Sequence, residues 1–407
     1  PSSSHRTYPL PYRSARPAPA GTDMPRRAPR AGARAALLLA LPAAAWAFHV
    51  RGSTAESDDT VMRLQDNGRL QENATVGLNE SERDAANCAA FGLNPRWVGA
   101  PPPRVFDAFL YHGEDRLLSL RAAELRGSVD GHICGITEAT FRGEPNNVPE
   151  LVASVRRTES TAHVAQVPWG EAQEACKGYG SAAHMAFGLN LAFREDADRR
   201  HRSSCWQSFA RNYLAKGVEE QGAQEEDWVI VSDVDEIPDR SAVQLLKHCD
   251  VPYEALLFRS HAHYIYSTRC KVTGGKTLWL DGSRGPVAVR VSTMRELGLQ
   301  AARVNRLTCK PVGPYGTCHA PKKHVLPPSA WHMSSCMEPT GVLTKMQSNV
   351  DRITKSESVE DVMQFRKDCV DPRGFFQLER LAQPAMNYPD VPHAFAEDLQ
   401  RQHDMMQ

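Results

Sequence analysis

From residue 104 onward, short apolar runs alternate with longer segments of helical periodicity. The run Val105 to Tyr111, apolar apart from Asp107, predicts a first core strand. After Gly113, Asp115 stands where a helix cap would, and Leu117, Leu118, Leu120 and Leu125 cover one broad face before Gly127 stops the helix. His132 to Ile136 makes a second strand, so this strand-helix-strand unit predicts parallel pairing through a right-handed crossover. Trp206, Phe209, Tyr213 and Leu214 keep the three-and-four spacing of a core-facing helix between Ser204 and Gly217, with Arg211 and Asn212 off that stripe. An acidic loop, Glu219 to Asp227, then leads into the apolar strand Trp228 to Val231. Asp239 can cap a helix carrying Val243, Leu246 and Cys249, and Ala255 to Phe258 forms a later strand. This alternation predicts an α/β fold with a mostly parallel central sheet flanked by helices, over residues 104–395, followed by a tail at 396–407.

The first hundred residues read differently. Residues 1–34 are rich in Arg, Pro, Ser and Ala with a single acid, Asp23, and form a basic, disordered leader. Arg26, Arg27, Arg30 and Arg34 precede the apolar stretch from Ala35 to Val50, slightly short of the roughly 20 residues that span a bilayer. Residues 35–50 fit a signal anchor with its arginines on the cytoplasmic side, a cleavable signal peptide, or part of an organelle transit peptide. Secretory entry is favoured by Asn73-Ala74-Thr75 and Asn79-Glu80-Ser81, two glycosylation acceptors just beyond the segment. Residues 51–103 are polar, end in Pro101-Pro102-Pro103 and read as a flexible stem. A first residue of Pro rather than Met reads as a start inside a longer chain.

Composition adds limits. Acidic and basic residues balance at 48 each, so no global charge points to nucleic acid, and 41% hydrophobic content supports a large core. Ten cysteines are compatible with an oxidising lumen. They include no Cys-x-x-Cys pair, which argues against structural zinc; Cys309 and Cys318 could close a small loop, while Cys134 reads as a buried free thiol.

The chemistry concentrates at Asp233-Val234-Asp235-Glu236-Ile237-Pro238, directly after the buried strand. Side chains at i and i+2 of a strand point the same way, so Asp233 and Asp235 would converge where the strand opens, a hard anionic site suited to Mg²⁺ or Mn²⁺ with a phosphorylated ligand. A capping or turn role is the plain alternative. An EF-hand fails, because loop position six would be Pro238 and position twelve Gln244. A phosphatase of the haloacid dehalogenase type would use Asp233 as nucleophile and Asp235 as acid, but such enzymes carry that motif on their first strand. In open α/β sheets ligands bind beyond the carboxyl ends of strands, where both Glu138 and the Asp pair fall.

Three blocks, taken together, resemble glycosyltransferase family seventeen, the family of the bisecting β-1,4-mannosyl-glycoprotein N-acetylglucosaminyltransferase. They are Phe106-Asp107-Ala108-Phe109 through Glu138 and Gly143-Glu144-Pro145; Arg211-Asn212-Tyr213-Leu214 with Ser232 to Pro238; and Trp331-His332 with Ser334, Cys336 and Lys345. The resemblance covers roughly residues 104 to 376, although residues 170–202 diverge and His261 to Pro328 match poorly. It implies a GT-A nucleotide-diphospho-sugar fold, a UDP-N-acetylglucosamine donor, a divalent cation, Mn²⁺ or Mg²⁺, and inversion to a β linkage. It further implies an N-glycan mannose on a glycoprotein as acceptor and a single-pass type II Golgi membrane enzyme with a lumenal catalytic domain.

On that reading Asp233 and Asp235 hold the cation, and His332 is a candidate third ligand or else a structural histidine. Lys345 pairs with a phosphate, or else is a solvated helix position. Glu138 binds ribose hydroxyls and Arg211 a phosphate or the base, unless the two form structural ion pairs. An inverting transfer also needs a carboxylate to take the acceptor's proton, for which Asp281 and Glu236 are the nominees, unless Asp281 is a turn residue and Glu236 a buried hydrogen-bond acceptor. Rival readings are a transferase with another donor or acceptor, the aspartate-nucleophile phosphatase, and a glycan-binding protein that kept the fold without the chemistry.

Overall fold

Runs such as Val105–Leu110 and Trp228–Asp233, mostly apolar, are buried on both faces, which fits strands covered by helices on two sides. The computed structural model describes residues 80–96, 99, 101–176, 195–275, 285–304, 322–348, 358–371, 376–387 and 390–398. In chain order the elements are α1 (Glu80–Ala90), β1 (Asn94–Pro95), β2 (Val105–Leu110), α2 (Asp115–Leu125), β3 (Gly131–Thr137), α3 (Val148–Thr158), β4 (His163–Val167), α4 (Trp169–Ala175) and α5 (Glu195–Glu220). Next come β5 (Trp228–Asp233), β6 (Glu236–Pro238), α6 (Arg240–His248), β7 (Cys249–Asp250), β8 (Ala255–Ile265), β9 (Ser267–Gly275) and β10 (Val287–Arg290). The remainder is α7 (Val291–Leu297), α8 (Leu299–Val304), β11 (Lys323–Ser334), α9 (Pro339–Ser348), α10 (Val359–Asp368) and β12 (Phe376–Arg380).

Ten of the strands form one sheet along the path β12-β9-β8-β10-β5-β2-β3-β4, with β11 against β8 and β6 against β11. The β5-β2-β3-β4 part is parallel, as the first crossover predicts. Beyond it, β10 runs antiparallel to both β5 and β8, and β9 and β12 continue antiparallel. The sheet is therefore mixed rather than mostly parallel. Short β10 was invisible to the sequence reading, and its insertion reverses the direction next to the Asp-bearing strand.

Strand alternation assigns the layers. Phe106, Ala108, Leu110, Val229 and Val231 pack in one cluster with Ala210, Leu214 and Val218 of α5. Phe109, Cys134 and Ile136 point the other way, toward Leu117, Leu118 and Leu120 of α2. On the α5 side the fit is close: a Cβ on Gly135 would lie 2.6 Å from a Leu214 methyl. The helix pattern at Leu117 to Leu125 is found as expected, with Gly127 at φ +77° just past its end. Asp115 is the first helical residue rather than the cap, and its carboxylate instead accepts from Ser154 Oγ at 2.5 Å and from the Tyr111 hydroxyl. Asp239 does cap α6, accepting the Ser241 N–H at 2.9 Å.

The stretch read as stem is not stem throughout. Helix α1 docks on the domain, with Cys88, Phe91 and Leu93 buried and a disulfide from Cys88 to Cys249. Because that bridge closes 161 residues, replacing both cysteines by Ala is expected to cost about 2–5 kcal/mol in urea unfolding; an unchanged midpoint would mean that α1 docks without help from it. Further bridges join Cys176 to Cys205 and Cys270 to Cys369, and Cys134 is a buried free thiol as expected. The leader 1–34, the apolar stretch 35–50, Asn73, Asn79, Cys309 and Cys318 lie outside the described residues. Among the described residues no helix is long and apolar enough to cross a membrane.

Candidate active site

β5 ends at Asp233, Val234 and Asp235 form a turn, and Glu236 opens β6, which runs back antiparallel to β11. The two aspartates therefore sit on either side of a reversal, not on one face of a strand. Each carboxylate has its own surroundings.

Asp233 faces the helices of the α5 layer. Arg211 of α5 donates from Nη2 to its Oδ1 at 2.7 Å, and Arg303 of α8 donates from Nη2 to its Oδ2 at 3.2 Å. Burial pushes the Asp233 pKa up, but Arg211 and then Arg303 outweigh burial and hold the carboxyl well below the usual carboxylate range. The three-and-four spacing puts Arg211 off the core stripe of its helix. In fact the buried line is Ala210, Leu214 and Val218, Arg211 borders it, and Asp233 supplies the charge that lets a guanidinium stay there. Asn212, its neighbour, accepts the Gln300 N–H at 2.9 Å and so fixes the start of α8. The close approach needs Gly298, at φ +77°, where a Cβ would come within 2.9 Å of the Asn212 oxygen.

Glu236 is 1% exposed, with Oε1 on Arg303 at 2.9 Å and Oε2 accepting the Asp233 N–H at 3.1 Å. Of its two readings, this arrangement fits the buried hydrogen-bond acceptor rather than the proton acceptor. Both oxygens are occupied and sealed from any acceptor hydroxyl, so Glu236 anchors the turn. Asp281, the other nominee, lies outside the described residues.

Asp235 turns toward the late part of the chain. Lys345 of α9 donates to its Oδ2 at 2.7 Å and lies 3.3 Å from Glu114 Oε1. Burial lowers the Lys345 pKa, but Asp235 and Glu114 outweigh it and keep the ammonium charged, so this side chain, still 25% exposed, is paired rather than simply solvated. The β6–β11 register pairs Glu236 with His332 and so places the imidazole beside Asp235, Nε2 to Oδ1 3.7 Å. That gap is too long for a hydrogen bond. The ring stacks on His263 at 4.2 Å, and Ser334 Oγ lies 2.7 Å from its Nε2.

Beneath the turn, Arg121 of α2 is fully buried. It makes a two-pronged pair with Asp107 and donates from Nη1 to the carbonyls of Glu236 at 2.7 Å and Asp233 at 3.2 Å. Glu138 stands apart. It is exposed at the end of β3, two strands and so about 10 Å from β5, and its Oε2 accepts the Trp169 N–H at 2.8 Å. It pins the start of α4. The sequence reading missed Arg303, Arg121, Glu114 and His263; the one local signal was a lone charge, Arg303, in the short helix Leu299–Val304.

Among the described residues no three His, Cys, Asp or Glu side chains are arranged to hold a metal ion by themselves. The fit must be judged from fewer donors. Asp235 and His332 offer one hard oxygen and one imidazole side by side, whereas the oxygens of Asp233 are engaged by arginines. Ions of the Mg²⁺ type commonly take one or two protein ligands and draw the rest from substrate phosphates and water, so two donors suffice. Charge agrees. The carboxylates Asp233, Asp235, Glu236 and Glu114 outnumber the cations Arg211, Arg303 and Lys345 by one.

The model for glycosyltransferase family 17 matches residues 184–279, which include Arg211, Asp233, Asp235 and Glu236. Of the three sequence blocks only the middle one lies within that match. No curated protein matches the chain. Among solved structures, a mannosyltransferase from Pyrobaculum calidifontis in complex with GDP-Man and Mn²⁺ aligns at 11% identity, covering 70% of this chain and 75% of that one, with a TM-score of 0.30.

Proposed function

From the premise that this chain is a glycosyltransferase with a family 17 segment, we propose that it transfers N-acetylglucosamine from UDP-N-acetylglucosamine to a mannose of a protein N-glycan, in β-1,4 linkage with inversion. The observation that carries the reading is the strand-turn-strand of the family match, which sets Asp235 beside His332 at the carboxyl end of β5. We assign the domain to the GT-A type, with the donor across that end of the sheet. The phosphatase reading loses its footing, because the nucleophile it requires, Asp233, is held by two arginines.

Asp235 and His332 would hold a divalent ion, whose chemistry when bound is to neutralise charge on the departing diphosphate. Lys345, already charged and on the same side, is the group placed to meet a phosphate oxygen. Arg211 and Arg303 keep Asp233 ionised and fix the turn. Three disulfides among the described residues and the cluster of acceptor sequons in the polar segment support a lumenal, type II Golgi setting with the 35–50 segment as anchor.

The test is thermal unfolding with a panel of UDP- and GDP-sugars, with and without Mn²⁺. UDP-N-acetylglucosamine with Mn²⁺ is expected to raise the midpoint most and to be hydrolysed slowly without acceptor. Equal protection in EDTA would remove the metal from the proposal, and stronger protection by another sugar nucleotide would replace the donor.

A further inference from the structure

A cavity of about 490 Å³ opens beyond the ends of β8 and β11. Five basic side chains line it: Arg116 of α2, Arg269 of β9, Arg366 and Lys367 of α10, and Arg380 of β12; no Asp or Glu is among the described residues that line it. Arg116 is shared with Glu338 at 3.7 Å and Asp398 at 3.9 Å. The other four side chains have no ion pair among the described residues. A cleft lined by one sign of charge concentrates counter-ions of the other.

The fold assembles this cluster by construction. The Cys270–Cys369 disulfide ties β9 to the end of α10, which fixes Arg269 beside Arg366 and Lys367. The β12–β9 register sets Arg380 opposite Cys270. Tyr266, Phe395 and Met363 supply an apolar wall, and Tyr266 bridges β8 and β9 in the left-handed region at φ +67°. Such strain persists where the surroundings over-determine it, commonly at binding sites. Cationic forks with aromatic faces suit a sugar ring that carries an acid group.

The cavity also lies within a short reach of chain from the proposed transfer centre. Cys336 lines it, four residues after His332, so the two are at most about 14 Å apart along the chain.

We propose that this cavity is a subsite for an anionic saccharide, one bearing a sulfate, a phosphate or a sialic carboxylate. It names an acceptor class and, for that role, rests on the transferase reading; the binding itself does not.

The full chain would be titrated calorimetrically with N-acetylglucosamine 6-sulfate, mannose 6-phosphate and sialyl-lactose, and with neutral N-acetylglucosamine, mannose and lactose. At least one anionic sugar is expected to bind about tenfold or more tighter than its neutral parent, less tightly in about 0.5 M salt, and without displacement by UDP. Arg380 and Lys367 are exposed, so R380Q/K367Q should fold, checked by its unfolding temperature, and weaken that binding about tenfold or more. Should the variant unfold, the salt and UDP arms decide alone. Displacement by UDP would hand the cavity to the donor. Equal binding of neutral sugars, indifference to the lost charges, or binding of a polyglutamate peptide but of no saccharide would each overturn the proposal. Absence of UDP-sugar hydrolysis would strike the transferase reading and leave the titration result standing.

Discussion

Asp235→Asn is expected to lower donor turnover by about 10²–10³-fold, the scale seen when one charge-stabilising group is removed from a transition state, with little change in the unfolding midpoint. The side chain keeps its shape, and Lys345 retains Glu114 at 3.3 Å, so no buried charge is stranded. The metal-dependent part of the donor's thermal protection should vanish with the activity. Asp233→Asn makes the contrast. It takes a carboxylate from two buried guanidinium groups, Arg211 and Arg303, and should cost about 2–3 kcal/mol of stability as well as activity. If the two variants behave alike in both measurements, the division between a ligating and a positioning aspartate fails. Wild-type turnover in Asp235→Asn would remove the acidic turn from the chemistry altogether.

Legibility in the sequence followed the range of the interaction. The helix at Leu117 to Leu125, the strands at Val105, His132 and Trp228 and the Asp239 cap are set by periodicity and by groups a few residues apart, and all were found. The partners of the acidic turn were not, because periodicity tells whether a position is buried but not which polar group it meets. Arg303 reaches Asp233 over 70 residues, Lys345 reaches Asp235 over 110, and Arg121 reaches Glu236 over 115. Strand geometry even misled. The i, i+2 rule put both aspartates on one face, whereas β6 begins at Glu236 and forces the chain to reverse between them. What joined Asp235 to His332 in the reading was the family resemblance of separate blocks. The structure supplies the cause, a β6–β11 register that pairs Ile237 with Trp331 and Glu236 with His332.

The charge in the middle of β2 leads to the second large effect. Asp107 is fully buried; burial pushes its carboxyl up, yet Arg121 and then His132 outweigh it and hold the pKa down at about 2. A folded pKa below the unfolded value of 3.8 contributes stability that is complete above about pH 4 and is lost as pH falls toward 2, on the order of 2 kcal/mol. Breaking the pair from either side strands a buried charge, so Asp107→Asn and Arg121→Met are each expected to cost about 3–5 kcal/mol in urea unfolding. Asp107→Leu combined with Arg121→Met leaves no charge stranded between these two positions and should recover most of that loss. Activity should not recover. Arg121 also donates to the carbonyls of Asp233 and Glu236, and a methionine cannot hold that turn. A double variant that is stable and has wild-type kcat would reduce Arg121 to core packing, whereas a stable one with depressed kcat and unchanged donor KM marks it as the residue that positions the acidic turn.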